Sequence, residues 1–394
     1  MRMLTMKKII VIPDSFKGTF SSVEVCRIIK EEFTKYFSSG DIIAIPVADG
    51  GEGTVECFRR LKDASAFTVE TTGPLMEKTE ASYVVYRNTA VIELASAAGF
   101  SLAKGKSSPL KTTTYGVGTI IRDAVSRGCT RIILGLGGSC TNDAGAGIAA
   151  ALGTVFFDSS GCAFIPVGET LSQVKNIDTS ETERLLSGVE VMGMCDTASP
   201  MYGPEGAAFV FAPQKGASPE EVKLLDRQLL SFSETVKKCL GRDVSRLPGG
   251  GAAGAAGAGI AAFLSAELRK GIDTILDLIS FDDLLDQCSF VVTGEGKFDC
   301  QSLGGKAVSG ISAGAKKKGV PAIVIAGQYD REIKNLSSYG IEAVFEAGKF
   351  DPNQPPDQIR RTCTASLRRA AEDAGLFLYR RLSGSLTVKP SSDQ

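Results

Sequence analysis

Short apolar runs rich in β-branched residues alternate along this chain with segments of helical periodicity, and a glycine loop follows most of the runs. The run at residues 8–12 precedes the loop DSFKG, and the run at 42–47 precedes ADGGEGT. The pattern returns near the other end, where the run at 289–292 precedes TGEGKFD. Such alternation is typical of α/β proteins whose largely parallel sheet is buried on both faces. The sequence therefore predicts an α/β fold with the glycine loops at the carboxyl ends of strands.

The middle of the chain has a different composition, with shorter strands, loops rich in glycine and alanine, and one long charged helix near residues 219–240. We predict two domains, because a chain of 394 residues usually exceeds a single core. A discontinuous nucleotide-fold domain is expected from residues 1–72 and 288–384, with an α/β domain at 73–287 inserted in it. The small polar residues 385–394 are predicted to form a disordered tail.

Composition excludes several classes of function. The chain has no histidine, which excludes serine–histidine–aspartate triads and leaves proton transfer to Asp, Glu, Lys, Cys or Tyr. The 44 basic residues nearly balance 45 acidic ones, so there is no basic stripe to bind nucleic acid. Ten cysteines without a C-x-x-C pair indicate reduced thiols in a cytoplasmic protein. We therefore expect a small-molecule substrate.

The sequence predicts neither a signal peptide nor a membrane span. Pro13 stops the first apolar run, which is too short for a signal-peptide core. Residues 247–265 are uncharged, but six of them are glycine and most of the others are alanine, which carry little transfer free energy. We interpret this segment as tightly packed or facing a ligand.

The loop GLGGSCTND, which follows a predicted strand at 132–134, is the main candidate for phosphate binding. A helix is expected to begin near Asn142 or Asp143, so that amides and hydroxyls of the loop would surround an anion at its positive end. No Walker A motif occurs in the chain. The residues expected to contact nucleotide phosphates are Gly137, Gly138, Ser139, Thr141, Asn142 and, in the loop PQKGA, Lys215.

Carboxylates in the other loops are candidates for metal binding and catalysis. Glu295 and Asp299 are the expected magnesium ligands, because Mg²⁺ takes one or two carboxylates and completes its shell with water and phosphate oxygens. Helix capping is the alternative for such acids, above all for Glu52. Asp196, at a predicted strand end, is the first candidate for a catalytic base, with an Asx turn as its alternative. Asp49 is the second candidate.

A dinucleotide-binding interpretation competes with the phosphate loop. Gly145, Gly147 and Ala150 satisfy G-x-G-x-x-A, and Asp158 lies at about the spacing of a ribose-binding acid. These glycines fall inside the predicted helix, where glycine more often permits close packing. Two alternatives to phosphoryl transfer thus stay open, an NAD-dependent oxidoreductase and a non-catalytic binding protein. The family resemblance given next makes a small hydroxy acid the expected substrate of the first and a sugar acid the expected ligand of the second.

Eight motifs occur in order along the chain: PDSFKGTFSS, VADGGEGT, ELASAAGF, TYGVGTII, LGLGGSCTNDAGAGIAAALG, CDTASPMYGPEGAAFVFAPQKGA, PGGGAAGAAG and VVTGEGKFDCQSLGGKA. Taken together, from about Lys8 to Arg380, they resemble the glycerate kinase family of bacterial glyoxylate and sugar-acid degradation. The resemblance implies ATP-dependent phosphorylation of D-glycerate with Mg²⁺, and we expect 2-phosphoglycerate to be favoured over 3-phosphoglycerate as product. It also implies a flavodoxin-like (Rossmann-like) domain made of both termini, with a second α/β domain inserted. A homodimer is a candidate assembly.

The resemblance also suggests roles for residues of the first two loops. Lys17 is expected to bind the substrate carboxylate, and either Asp196 or Asp49 to accept the hydroxyl proton. The residues expected to contact substrate are Ser15, Lys17, Gly18, Gly50 and Gly51.

The chain departs from the family pattern at four positions, Lys297, Cys300, Cys140 and Ser199. Lys297 stands where arginine is usual, and lysine lacks the planar fork that binds phosphate or carboxylate through two hydrogen bonds. We expect that change to affect substrate affinity rather than the existence of activity.

Overall fold

The structure is a computed structural model that describes residues 8–16, 18–48, 53–61, 63–103, 108–303, 306–348 and 355–384. Its strands are β1 Lys8–Val11, β2 Ile42–Ala44, β3 Ala64–Thr72, β4 Lys78–Tyr86, β5 Thr89–Glu93, β6 Arg131–Gly135, β7 Val155–Phe157, β8 Ala163–Phe164, β9 Asn176–Asp178, β10 Glu190–Met194, β11 Glu267–Arg269, β12 Cys288–Phe298, β13 Ala322–Tyr329 and β14 Ile341–Glu346. Its α-helices are α1 Ser22–Phe33, α2 Thr54–Arg59, α3 Ala95–Ala98, α4 Phe100–Ala103, α5 Tyr115–Ser126, α6 Ala146–Leu152, α7 Ser180–Leu185, α8 Ala207–Phe211, α9 Pro219–Leu240, α10 Ala252–Leu264, α11 Gly271–Leu278, α12 Phe281–Leu285, α13 Ala307–Lys317 and α14 Pro356–Leu382.

The chain forms two compact units. Residues 1–48 and 272–394 make one, here called the terminal unit, and residues 49–271 make the other, the middle unit. The boundaries differ from those drawn on the sequence at 72/73 and 287/288. Strand β3 pairs along its whole length with β4 and therefore belongs to the sheet of the middle unit. Phe281 of α12 lies against Gly314 of α13, which places the segment before β12 in the terminal unit.

The terminal unit is built on a five-stranded parallel sheet with the order β2-β1-β12-β13-β14. Counted along the chain, this order is 2-1-3-4-5, which is the flavodoxin-like order. Strand β13 is buried on both faces, since Ile323 and Ile325 join the core under α1 and α14 while Val324 and Ala326 face the opposite core. The continuous apolar run that predicted this strand is explained by that double burial.

The middle unit holds a mixed six-stranded sheet with the order β11-β10-β6-β5-β4-β3. Strands β5, β6, β10 and β11 are parallel, whereas β3 and β4 are added antiparallel at one edge. A small antiparallel sheet, with the order β8-β7-β9, is formed by the chain between β6 and β10. The predicted α/β class is confirmed, although the inserted sheet is not purely parallel.

Local signals placed several elements correctly. The capping box predicted from Ser21 and Glu24 is present at the start of α1. The long helix predicted at 219–240 is α9, and Ser218 with Glu221 forms a second capping box there. No helix among the described ranges is long and apolar enough to cross a membrane.

Two local predictions were wrong. Strand β12 continues through most of TGEGKFD, because its backbone stays paired with β13 as far as Phe298. That pairing needs glycine at position 294, where a Cβ would lie 2.1 Å from the carbonyl oxygen of Ile325. Helix α6 begins at Ala146 rather than near residue 142.

Candidate active site

A pocket of about 360 Å³ opens in the middle unit at the carboxyl ends of β6 and β10. Its polar lining brings together residues that lie far apart in the sequence, among them Gly137, Gly138, Ser139, Asp196 and Lys215. All five were candidates on the sequence. Parallel strands that end at the same edge of a sheet explain why the loops that follow them meet. The apolar part of the lining includes Leu136, Met194, Phe211, Ala252 and Ala253.

Lys215 is the one buried lysine in this lining. Its side chain is only 3% exposed, and its Nζ donates to Ser139 Oγ at 2.8 Å and to the carbonyl oxygen of Thr141 at 2.7 Å. No carboxylate of the described residues lies within ion-pair distance of that Nζ. Burial lowers the pKa of Lys215 to about 8, and the nearby Cys140 and Asp143 oppose the shift. The pocket therefore holds a buried ammonium group that forms no direct ion pair with a described carboxylate, although Asp143 acts on it at longer range.

The buried carboxylate of Asp143 holds the end of the loop GLGGSCTND in place through hydrogen bonds. It accepts hydrogen bonds from the amide and hydroxyl of Thr114, from the hydroxyl of Thr113, and from the amides of Gly145 and Gly147. Burial raises the pKa of Asp143, and the hydrogen bonds from Thr114, Gly147 and Gly145 oppose that shift. The first amides of α6 are thus occupied by Asp143, so this short helix does not offer its N-terminus to a phosphate. The helix start is therefore occupied by protein groups, and the loop before it, whose phosphate-binding role stays a prediction, lines the pocket instead.

Two polar side chains of the loop have buried atoms that lack partners. Asn142 is fully buried, and neither Oδ1 nor Nδ2 has a hydrogen-bond partner among the described residues. The Oγ1 of the equally buried Thr141 is in the same situation. An unsatisfied buried polar group costs about 1–3 kcal/mol, so such groups mark places where a ligand or water completes the site.

Asp196 follows β10 and reaches the same pocket as an exposed side chain. Its Oδ1 accepts a hydrogen bond from the amide of Gly271 at 3.1 Å, which orients the carboxylate. A carboxylate that is oriented and open to solvent can accept a proton from a hydroxyl group that is bound beside it.

The terminal unit has its own polar cluster, at the end of β1 and in β12. Thr293 and Glu295 lie two residues apart on one face of β12, and each has a buried oxygen without a partner in the described chain. Asp14 is tied to the same strand, because its amide donates to the carbonyl oxygen of Gly294 at 2.8 Å. Burial raises the pKa of Glu295 to about 7, to which Asp14 and Asp299 add, while Ser302 and Lys306 oppose it.

Asp299, the second predicted magnesium ligand, is occupied by protein partners. Its Oδ2 lies 3.0 Å from Lys297 Nζ, and its Oδ1 accepts from the amide of Gln301 at 2.9 Å. The described residues contain no cluster of three or more acidic or cysteine side chains that could hold a metal ion. Oxygen donors from Glu295 and Thr293 nevertheless fit Mg²⁺, which needs only one or two carboxylates from protein.

The remaining substrate candidates lie in the first two loops. The amide of Ser15 donates a hydrogen bond to Asp14 Oδ1 at 2.6 Å, and Gly18 has a positive φ of 80° with no atom within 4 Å of the position that a Cβ would take. Lys17, Asp49, Gly50, Gly51 and Glu52 lie outside the described residues, as does the tail at 385–394.

Sequence reasoning missed two features of this site. The prediction for Asp143 was a helix start, although a carboxylate preceding glycines is also a signal for a turn that binds backbone amides. The sequence did not distinguish whether Ala252 and Ala253 are packed in the core or form a pocket wall, because an alanine side chain suits both places.

Comparison with known proteins agrees with this arrangement. Residues 9–378 match the model of the glycerate kinase family. A glycerate kinase of Halalkalibacterium halodurans is 39% identical over 86% of this chain and 90% of its own length. A glycerate 2-kinase of Escherichia coli K12 is 40% identical, again over 86% of this chain and 90% of its own. The crystal structure of a proposed glycerate kinase 2 from Salmonella typhimurium LT2 superposes with a TM-score of 0.85 at 36% identity, covering 96% of this chain and all of that one.

The fold is of the α/β class, and its pocket gathers a glycine loop, a lysine and a carboxylate at the ends of parallel strands. The family match over nearly the whole chain and the identities near 40% are specific beyond that class. The chain belongs to the glycerate kinase family and is an enzyme of that family.

Proposed function

We propose that this enzyme transfers the γ-phosphoryl group of ATP to a hydroxyl of D-glycerate, with Mg²⁺, and that 2-phosphoglycerate is favoured over 3-phosphoglycerate. The observation that carries the proposal is the pocket in which a glycine loop, the buried Lys215 and Asp196 meet. The choice of the 2-hydroxyl rests on the E. coli relative named glycerate 2-kinase.

Phosphoryl transfer requires mainly positioning and charge neutralisation, since its transition state is loose and spreads negative charge over the transferred oxygens. Lys215 supplies a positive charge in a desolvated setting, where its interaction with phosphate is stronger than in water. Gly137, Gly138 and Ser139 let phosphate oxygens approach the backbone closely. This geometry supports their assignment as the phosphate-binding residues.

Asp196 is the proposed base for the acceptor hydroxyl, because it is the carboxylate in the lining of this pocket. Asp49 stays a second proposal. Lys17 is proposed to bind the substrate carboxylate, with Ser15, Gly18, Gly50 and Gly51 around the substrate. An ammonium group in the DSFKG turn suits a substrate that carries a carboxylate.

Glu295 is the proposed magnesium ligand, with Thr293 and Asp14 beside it. When bound, Mg²⁺ neutralises negative charge on the phosphates. Asp299 joins it only if Lys297 releases the carboxylate that it now pairs with.

The NAD-dependent alternative loses support from the geometry. The amides of Gly145 and Gly147 donate to Asp143, and a Cβ on Gly147 would lie 2.3 Å from Thr113 Oγ1, so these glycines serve packing. Asp158 closes a turn by accepting from the amides of Ser160 and Cys162.

A coupled assay of ADP release with ATP, Mg²⁺ and D-glycerate tests the proposal, with glycerate omitted as the control. Phosphorus NMR of the product then distinguishes the 2-phosphate from the 3-phosphate. Absence of glycerate-dependent ADP release contradicts the kinase. Glycerate binding without ADP release favours the non-catalytic alternative, and an absorbance change with NAD favours the oxidoreductase. Light scattering during chromatography tests the proposed homodimer.

A further inference from the structure

Helix α10 begins with a left-handed turn. Gly251 is right-handed at φ −75° and ψ −10°, whereas Ala253, Gly254 and Ala255 have φ of 55°, 67° and 66° with positive ψ. Two of these three residues are alanines, and L-residues with a side chain avoid this region because Cβ crowds the carbonyl oxygen. A chain that passes from right-handed to left-handed conformation turns successive amide groups toward one side and makes a concavity for anions.

The amides inside this turn are unused. Ala252 donates to the carbonyl oxygen of Gly249 at 3.0 Å, and Ala255 donates to that of Gly251 at 3.3 Å. Between them, the amides of Ala253 and Gly254 donate to no acceptor in the part of the chain that the structure describes. Both residues are buried, and Ala252 and Ala253 line the 360 Å³ pocket. The unsatisfied amide of Ala253 thus belongs to a residue of the pocket wall, and that of Gly254 follows it in the turn.

An independent observation points to an anion at the same place. Lys215 lines the same pocket, is almost fully buried, and has no carboxylate within ion-pair distance among the described residues. Its ammonium carries three N–H donors, of which Ser139 and Thr141 accept two. The buried Asn142, with both amide atoms unpartnered in the described ranges, adjoins the turn, since a Cβ on Gly254 would lie 2.5 Å from Asn142 Cα.

Glycine is required at the centre of the turn by a close contact, because its φ alone is also adopted by Ala253 and Ala255. A Cβ on Gly254 would lie 2.0 Å from the carbonyl oxygen of Thr141, the same oxygen that accepts from Lys215. In return, the carbonyl oxygen of Gly254 accepts from the amide of Ala144 at 3.1 Å. The turn and the GLGGSCTND loop therefore hold each other in position.

We propose that the amides of Ala253 and Gly254, together with the ammonium of Lys215, form an anion-binding site that holds a phosphate group. The site is derived from the geometry alone, while the identity of its phosphate, on a nucleotide or on a phosphorylated acid product, rests on the proposed function. ADP, 2-phosphoglycerate and unphosphorylated glycerate are therefore the three probes that distinguish the sources.

The direct test follows amide signals of the full-length chain labelled with ¹⁵N-glycine and ¹⁵N-alanine. On titration with ADP or with 2-phosphoglycerate, the signals of Ala253 and Gly254 should move, and the probe that moves them at the lower concentration identifies the source. Glycerate, which has no phosphate, should leave them in place. Signals that stay unchanged while ADP binds elsewhere overturn the site.

A matched pair of variants supplies a second readout. Gly241 ends α9 in the same left-handed region, at φ 67°, but is exposed, and a Cβ added there would have no atom within 4 Å. Gly241→Ala should leave ADP affinity unchanged. In Gly254→Ala the added Cβ would lie 2.0 Å from the carbonyl oxygen of Thr141 and displace the turn with its amides. ADP affinity should then decrease by about tenfold to a hundredfold, the contribution of hydrogen bonds to a charged group. Equal affinities of a folded Gly254→Ala and the wild type contradict the site.

Failure of this site is distinguishable from failure of the proposed function. If the wild type releases ADP with glycerate but the two amide signals ignore ADP and 2-phosphoglycerate, the kinase stands and the site is wrong. If those signals respond but no ADP is released, the site stands and the kinase is wrong. If Gly254→Ala does not fold, the amide signals of the wild type still decide whether the anion site exists.

Discussion

The two units of this protein each hold a desolvated charged group that forms no direct ion pair with a described residue, and the two charges have opposite signs. In the middle unit the group is the Lys215 ammonium, beside a glycine loop and two unused amides. In the terminal unit it is the Glu295 carboxylate, whose Oε1 has no partner in the described chain and whose pKa burial raises to about 7. Burying an uncompensated charge is unfavourable in either case. The difference supports the two proposals made above, a phosphate site in the middle unit and a Mg²⁺ site in the terminal unit.

Substitution of Asp196 should produce the largest effect on activity. Asp196→Asn keeps the size of the side chain and an oxygen for the amide of Gly271 but removes the proton acceptor. Turnover should fall by about 10²–10⁴ while ADP affinity stays within about twofold of the wild type. Steady-state kinetics and ADP titration of the same preparation measure the two quantities.

Asp158→Asn is the matched control for that substitution, because Asp158 also accepts backbone amides but lies in the turn after β7. Its turnover should equal that of the wild type. Near-normal turnover of Asp196→Asn would transfer the base assignment to Asp49.

Substitution of Lys215 tests the proposal that the middle unit receives an anion. Lys215→Met fills the same space without the charge, and both ADP affinity and turnover should decrease, turnover by about 10²–10³. The free energy of unfolding should change by less than about 2 kcal/mol, because relief of the buried charge offsets two lost hydrogen bonds. Lys223→Met, at an exposed position of α9, is the control. Unaltered ADP affinity in Lys215→Met would remove the lysine from the phosphate site.

Substitution of Asp143 should lower the free energy of unfolding, because the role of this side chain is to hold the loop in place rather than to take part in the reaction. Asp143→Ala leaves the buried donors of Thr113, Thr114, Gly145 and Gly147 without their acceptor, and each unsatisfied donor costs about 1–3 kcal/mol. We expect a loss of about 3–5 kcal/mol in urea unfolding, within the range for breaking a buried charged network. Asp158→Ala, which also removes an acceptor of two amides but at a more open turn, should lose less than about 1.5 kcal/mol. Equal losses of unfolding free energy in Asp143→Ala and Asp158→Ala would mean that the hydrogen bonds to Asp143 do not act as one cooperative network.

The sequence predicted the α/β class, the capping box of α1, the extent of α9 and the candidates that meet at the pocket. These depend on local periodicity, caps and strand ends, which a single sequence displays. It could not show that β12 continues through TGEGKFD, because the hydrogen bonds to β13 come from a strand that is distant in the sequence. Nor could it show the left-handed turn at residues 253–255, since alanine prefers the right-handed helix and the close contact of Gly254 is with Thr141, which is distant in the sequence.

The left-handed turn also has a cost that the pocket explains. Ala253 and Ala255 in this region cost about 1–2 kcal/mol each, and such strain persists where the surroundings enforce it, typically at functional sites. The terminal unit has strained residues too, at Ser280 and Asn335, but both are N-caps of short helices. The strained turn at the pocket wall is therefore a better indication of a functional site than the strained N-caps of the terminal unit.

The smallest expected effect is a pH dependence that acts on binding and on stability in opposite directions. Because the pKa of Lys215 is lowered to about 8, the ammonium loses its proton as pH rises through that value, and ADP affinity should decrease above pH 8. The groups that influence Lys215 are Cys140 and Asp143, and burial raises the pKa of Cys140 to about 11, so its thiol stays neutral in this window. Cys195 in the pocket lining, with a pKa of about 11, stays neutral as well.

Stability should follow the reverse course. Between pH 8 and about 10.4, the unfolded lysine still holds a proton that the folded one has released, so the unfolded state binds more protons and stability rises with pH. The penalty for the buried charge is fully present below pH 8 and disappears as pH approaches the unfolded value. The measurement is the unfolding free energy of the wild type minus that of Lys215→Met, which should become more favourable to the wild type from about pH 7 to about pH 10. The result that contradicts this prediction is a difference in unfolding free energy that does not change with pH, together with an ADP affinity that stays the same across pH 8. Lys215 would then not be the titrating cation of the middle unit.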